Sequence, residues 1–194
     1  MPDITAINPY SLAAAGAALL LLISLFFWWL RARRSLPHRL RQASIDRLSN
    51  ILVPDGDGGE IHIQQALLTA RGVVIIDIKE VTGNVFGSDS MQDWTVISDK
   101  RRFTFSNPQP ALYDRLAAVR RLIVEVPVTG FIAFTQRAEF TKGRPTNVIL
   151  LDELLDELQA EIKDSTASTD PFFAEWTKLR DEAVTTQVGQ LLKD

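Results

Sequence analysis

"EIHIQQALLTARGVVIIDIKEVTG", residues 60–83, holds two runs rich in β-branched residues on either side of the turn Ala70-Arg71-Gly72. In the first, Ile61 and Ile63 alternate with His62 and Gln64, the period of a half-buried strand. In the second, Val73 to Ile76 is unbroken and marks the more buried of the two. So short a separation suits an antiparallel hairpin. Residues two apart on a strand share a face, so Asp77 and Lys79 stand side by side while Ile78 and Glu80 face the other way. A carboxylate beside an ammonium at the end of a buried strand has two readings. It is half of a phosphodiesterase site, the acid holding Mg²⁺ and the lysine orienting the attacking water, or it is a surface ion pair where the strand reaches solvent. The first reading needs a second acid from the neighbouring strand or the first helix, because Mg²⁺ usually takes one or two carboxylates in near-octahedral geometry.

Upstream, Leu40, Ile45, Leu48 and Leu52 recur at near-helical spacing and predict an amphipathic helix starting just after Pro37, stopped by "PDGDGG" at 54–59. Downstream, "RRFTFSN" at 101–107 predicts a short strand. Leu112, Leu116, Val119 and Ile123 give one face of a helix opened by proline. "VTGFIAFT" at 128–135 reads as another buried strand, and "NVILLDELLDELQAEIKD" at 147–164 begins as a strand and becomes a helix carrying Leu151, Leu154, Leu155 and Leu158. After the linker "STASTDP", a final helix presents Phe172, Phe173, Trp176 and Leu179 as a stripe that covers the sheet or binds a partner; stripes at this spacing usually pack a core. The order is an α/β plan with a mixed β-sheet flanked by helices.

From Ile4 to Leu30 there is no charged side chain, a length that crosses about 30 Å of hydrocarbon as one transmembrane helix. Asp3 before the run and Phe26, Phe27, Trp28 and Trp29 at its end argue against a cleaved signal peptide. Arg31, Arg33, Arg34, Arg39 and Arg41 crowd the C-terminal flank while the N-terminal flank has no Lys or Arg, which places the body of the chain in the cytoplasm, on the inner (plasma) membrane. The same arginines suit anionic headgroups, so the membrane is the first expected partner. The absence of cysteine excludes thiolate chemistry and disulfides.

The stretch from "ALLTARGVVIIDIKEVTGNVFG" through "DWTVISDKRRFTFSNPQPALYDRLAAVRRLI" resembles the nuclease-related domain (NERD) family. Its pattern is a strand ending in acid-x-Lys, a glycine turn, a tryptophan, and an Asn-Pro opening a helix; here these are Asp77 and Lys79, Gly83 and Gly87, Trp94, and Asn107-Pro108. The resemblance implies a PD-(D/E)XK, restriction-endonuclease-like core of order α-β-β-β-α-β, matching the order read from periodicity. With the apolar run and its basic flank, the chain is expected to divide into a tail at 1–10, the membrane helix at 11–30, a basic juxtamembrane segment with the first helix at 31–54, the nuclease-related domain at 55–162, and a linker with the C-terminal helix at 163–194. The family's preceding strand carries an aspartate, typically followed by histidine; the spacing lands on Gln64 and Gln65. An amide lends a cation one neutral oxygen and no charge. The polar residue expected after Asn-Pro is also off pattern, and Gln109 fills that role only if the register shifts.

Glu60 is the best substitute acid. Asp55 and Asp57 suit a turn, and Asp46 reads as a solvated partner of Arg41 and Arg47 on the first helix. Asp77, Lys79, Gln64 and Glu60 are thus the candidate catalytic residues, with Asp77 the candidate Mg²⁺ ligand. His38 and His62 lack zinc-ligand spacing, "GDGG" is followed by no Lys-Ser or Lys-Thr, and no Gly-x-Ser-x-Gly occurs. "DKRRF" reads as a solvated basic turn before a strand. With Gln64 in the aspartate position, the expectation is a membrane-anchored domain binding nucleic acid or a protein, its hydrolysis weak or lost. A Mg²⁺-dependent nuclease, with Glu60 or a loop aspartate as second ligand, is the enzyme alternative. A tethered scaffold binding protein through its C-terminal helices is the third.

Overall fold

The computed structural model describes residues 19–20, 35–99, 101–164 and 170–191, without side chains at 164, 170–171 and 186–191. The expected membrane span lies outside these residues except for helical Leu19 and Leu20, as does most of the linker at 165–171. Among the described residues no helix is long and apolar enough to cross a membrane. The chain divides into two compact units, Met1–Arg39 and Leu40–Asp194.

The predicted first helix is shorter than expected. Helix α1 covers Leu36–Gln42, and Asp46–Pro54 is instead strand β1. β1 pairs antiparallel with β2 (Glu60–Thr69), from Asp46↔Leu68 to Pro54↔Glu60. Inter-strand hydrogen bonds and the inward-facing Ile51 and Val53, both buried, outweigh the i, i+4 spacing that suggested a helix. Asn50, at φ 53°, breaks the pleat, which is why the apolar residues of β1 do not simply alternate.

The opening stretch folds as expected. β2 pairs antiparallel with β3 (Gly72–Lys79) from Thr69↔Gly72 to Gln65↔Ile76. Gly72 takes φ 119°, where a Cβ would also meet the Pro127 carbonyl oxygen. β3 is buried from Gly72 to Ile78, as its unbroken apolar run required. The strand ends at Lys79, and β4 (Gly83–Phe86) belongs to a second sheet. There β4 pairs with β5 (Asp93–Ser98), and β5 with β6 (Arg101–Ser106). β5 was not anticipated, because its exposed and half-buried residues mask the alternation of Trp94 and Val96.

α2 (Gln109–Leu122) buries Leu112, Leu116 and Val119 and crosses over to β7 (Val128–Phe134), which lies parallel to β3. Gly130 of β7 has no Cβ because Leu112 and Leu116 fill that space. A two-residue β8 (Ala138–Glu139) joins β4, and β9 (Val148–Leu150) joins β7 before running into α3 (Leu151–Asp164), the expected strand-to-helix transition. The sheets are ordered β1-β2-β3-β7-β9 and β6-β5-β4-β8. The last helix, α4 (Asp170–Leu191), lies against β1 with Trp176 and Leu179 fully buried, so the aromatic stripe packs the core; Phe173 alone of its members is exposed.

Candidate functional site

β2 and β3 stop pairing one residue short of Gln64 and Asp77. β3 stays on β7 through Lys79↔Phe134, so its end is firmly placed while β2 turns away. In the opening, the Ile78 amide donates to Gln64 Oε1 at 2.6 Å, a side chain standing in for a strand partner. Gln65 points elsewhere and accepts from Ser49 Oγ at 2.8 Å.

Asp77, 6% exposed, lies at the floor of a groove of about 470 Å³. Lys79 Nζ stands 3.0 Å from its Oδ2, which supports the same-face expectation for the pair. The sequence reading passed over a third member: Arg115 of α2 places Nη1 3.5 Å from the same oxygen while its Nε donates to the His62 carbonyl at 2.8 Å. Arg115 sits between Leu112 and Leu116, at the edge of the apolar stripe, and that position was the available signal. Oδ2 and Nη1 are sequestered from solvent, and neither has a hydrogen bond of good geometry. The contacts are therefore charge–charge contacts held by the scaffold. Glu80, expected to face away, lines the same groove because the alternation ends with β3 at Lys79. Phe103 and Phe105 of β6 and Asn107-Pro108 also line the groove.

The other candidates lie elsewhere. Glu60 is four residues before Gln64, about 13 Å along the strand, opposite Pro54. Asp46 is no helix-surface partner of Arg41 and Arg47: its Oδ2 accepts from Trp176 Nε1 and Arg180 Nη2, each at 2.8 Å, tying β1 to α4. Asp55 Oδ1 accepts from the Asp57 and Gly59 amides at 2.8 and 2.9 Å, the expected turn. Gln109 turns to a second hollow, where its Nε2 donates to Asp89 Oδ1 at 2.7 Å and to the Thr146 carbonyl at 2.9 Å. Asp89 also accepts from Thr146 N and Oγ1, and hydrogen bonds from Thr146 and Gln109 hold its carboxyl below the usual aspartate range.

A divalent cation was tested against these donors. The orphaned Asp77 Oδ2 favours one, but two cations already stand within 3.5 Å of it. Gln64 Oε1 is engaged with a backbone amide. Glu80 is an exposed rim residue, and no cluster of three His, Asp or Glu able to hold a metal occurs among the described residues. The donor set does not fit a tightly held Mg²⁺.

The model of the nuclease-related domain matches residues 29–135, more than half of the chain. The chain belongs to the nuclease-related domain family. No curated protein and no solved structure matches it. The match reaches upstream of the resemblance noted in the sequence, and so takes β1 as well as the β2–β3 hairpin into this NERD protein's family region. Gln64 and the groove's charged residues Asp77, Lys79, Glu80 and Arg115 all fall within it.

Proposed function

We propose that this NERD protein uses the groove at the end of β3 to bind nucleic acid without metal-dependent hydrolysis. The observation that carries the reading is the state of Asp77. The carboxylate at the position of the family's acid-x-Lys is neutralised by Lys79 and Arg115, and the residue at the family's second acid position, Gln64, is engaged with the backbone. In this arrangement Asp77 acts as an internal counterion that holds two cations at the groove floor, and a phosphate competes for those cations. Arg101, exposed on β6 two residues from Phe103, adds positive charge beside a groove in whose lining Lys79 and Arg115 are balanced by Asp77 and Glu80.

The domain is tethered by the uncharged stretch at 4–30, with the arginines that follow it holding the body on the cytoplasmic side of the inner membrane. The enzyme reading keeps one specific support, since Asp77 and Glu80, rather than Glu60, line one groove. Incubation of the full chain with labelled DNA and RNA, single- and double-stranded, in Mg²⁺, Mn²⁺ or EDTA separates the two. Binding that is the same in EDTA, with intact substrate, supports the proposal. Metal-dependent cleavage abolished by Asp77→Ala and by Glu80→Gln would replace it with the nuclease.

A further inference from the structure

The aromatic wall of the groove is not explained by the charged floor. Phe103 is 45% exposed, yet its position is fixed. Its ring lies 6.4 Å from that of Phe105, Phe105 meets Trp94 edge-on at 6.1 Å, and Trp94, fully buried, stacks on Phe134 at 6.4 Å. The exposed ring is thus the outer end of a train of aromatic side chains rooted in the core. It is held out over the groove that Lys79 and Arg115 line, with Arg101 two residues away on the same face of β6.

A flat apolar ring beside two cations matches a nucleotide whose base is unstacked: the base covers the ring and the phosphate meets the cations. A duplex offers no such fit, because each base face is already covered by its neighbour. At about 470 Å³ the groove is in the size range of small-molecule pockets, roughly 300–1,000 Å³, and too small to admit a double helix. The strand's course is also limited. The adjoining hollow shares Ser106 and Asn107 with the groove but is lined by Asp89 and Asp93, which repel phosphates. Resting on the proposed nucleic-acid function, we infer that the groove selects single-stranded nucleic acid, stacking an unpaired base on Phe103 with its phosphate at Lys79 and Arg115. Glu80 at the rim opposes the phosphate and limits affinity.

The test is a binding titration of the full chain in mild detergent with short fluorescent single-stranded DNA, single-stranded RNA and duplex DNA, using wild type, Phe103→Ala, Phe103→Trp, Lys79→Ala and Glu80→Gln. Phe103→Ala is expected to weaken single-strand binding about 5- to 100-fold with the salt dependence unchanged, and Phe103→Trp to restore it. Lys79→Ala is expected to weaken binding and flatten the salt dependence, and Glu80→Gln to tighten it. Single-strand affinity unchanged in Phe103→Ala, or equal affinity for duplex, would overturn the inference while nucleic-acid binding stood. Failure of every polymer to bind at low salt would overturn both this inference and the function on which it rests.

Discussion

Asp77 has a lysine at 3.0 Å and an arginine at 3.5 Å from one carboxylate oxygen, in a site that is largely buried. Removing one partner of such a cluster costs stability, because it leaves charge less fully compensated, and water reaching the partly exposed Lys79 and Arg115 limits that cost. Gln64 is held separately, its Oε1 accepting from the backbone amide of Ile78. Aspartate is one methylene shorter and cannot keep that bond while turned toward Asp77. Gln64→Asp is therefore expected to cost about 1 kcal/mol, a fall of roughly 2–4 °C in the melting midpoint by differential scanning fluorimetry. The wild-type midpoint should be the same in Mg²⁺ and in EDTA; a rise of several degrees on adding Mg²⁺ would show that the native groove binds the cation. The pair Asp77 and Lys79 was legible in the sequence, since strand alternation dictates it. Arg115 was not, because the contact depends on how a distant helix crosses the sheet, and Glu80 was misplaced because alternation does not say where a strand ends.

At the scale of elements, two carboxylate clips tie distant parts of the fold together. One joins β1 to α4: Trp176 is fully buried and its indole N–H, with Arg180, is bound by Asp46. Trp176→Ala is expected to destabilise by about 3–5 kcal/mol in urea denaturation, and Asp46→Ala by about 1–2 kcal/mol. The other is Asp89, which ties the loop after β4 to α2 and to Thr146. Its carboxyl is held below the usual aspartate range in the folded protein, so its contribution is fully present above the unfolded value and is lost as pH falls through the lower folded one. The protection of the Thr146 amide against hydrogen exchange, taken relative to its intrinsic rate at each pH, should accordingly fall as acid protonates Asp89, and in Asp89→Asn it should be lower already at neutral pH. The helices α2 and α3 were readable because their leucines repeat at 3.6 residues and all but the terminal Leu122 are buried. β1 was not, because its spacing mimics a helix and its pairing with β2 is a long-range fact.

For the whole molecule, the sequence carried the α/β class and the hairpin at the centre of the larger sheet, but not the second sheet. β4, β5 and β6 form a separate layer whose outer strand is mostly exposed, so hydrophobic pattern gives little notice of it. That layer supplies the aromatic wall, which explains why the site was only half visible from its charged residues. In the sequence, the uncharged stretch at 4–30 and the arginines after it carry a separate prediction. The full chain should remain with membranes after alkaline carbonate extraction, whereas a chain starting at Ser35 should be released.

The central claim is that Asp77 serves as a counterion to Lys79 and Arg115 rather than as a metal ligand, and Asp77→Asn tests it most directly. Asparagine keeps the shape and removes the charge. Titrated with labelled single-stranded nucleic acid in EDTA and in Mg²⁺, the full-length Asp77→Asn protein should bind several-fold more tightly than wild type in both, because phosphate no longer competes with a carboxylate for the two cations. Wild-type binding or cleavage that requires Mg²⁺ and is abolished in Asp77→Asn would contradict the account and make Asp77 the metal ligand of a working nuclease.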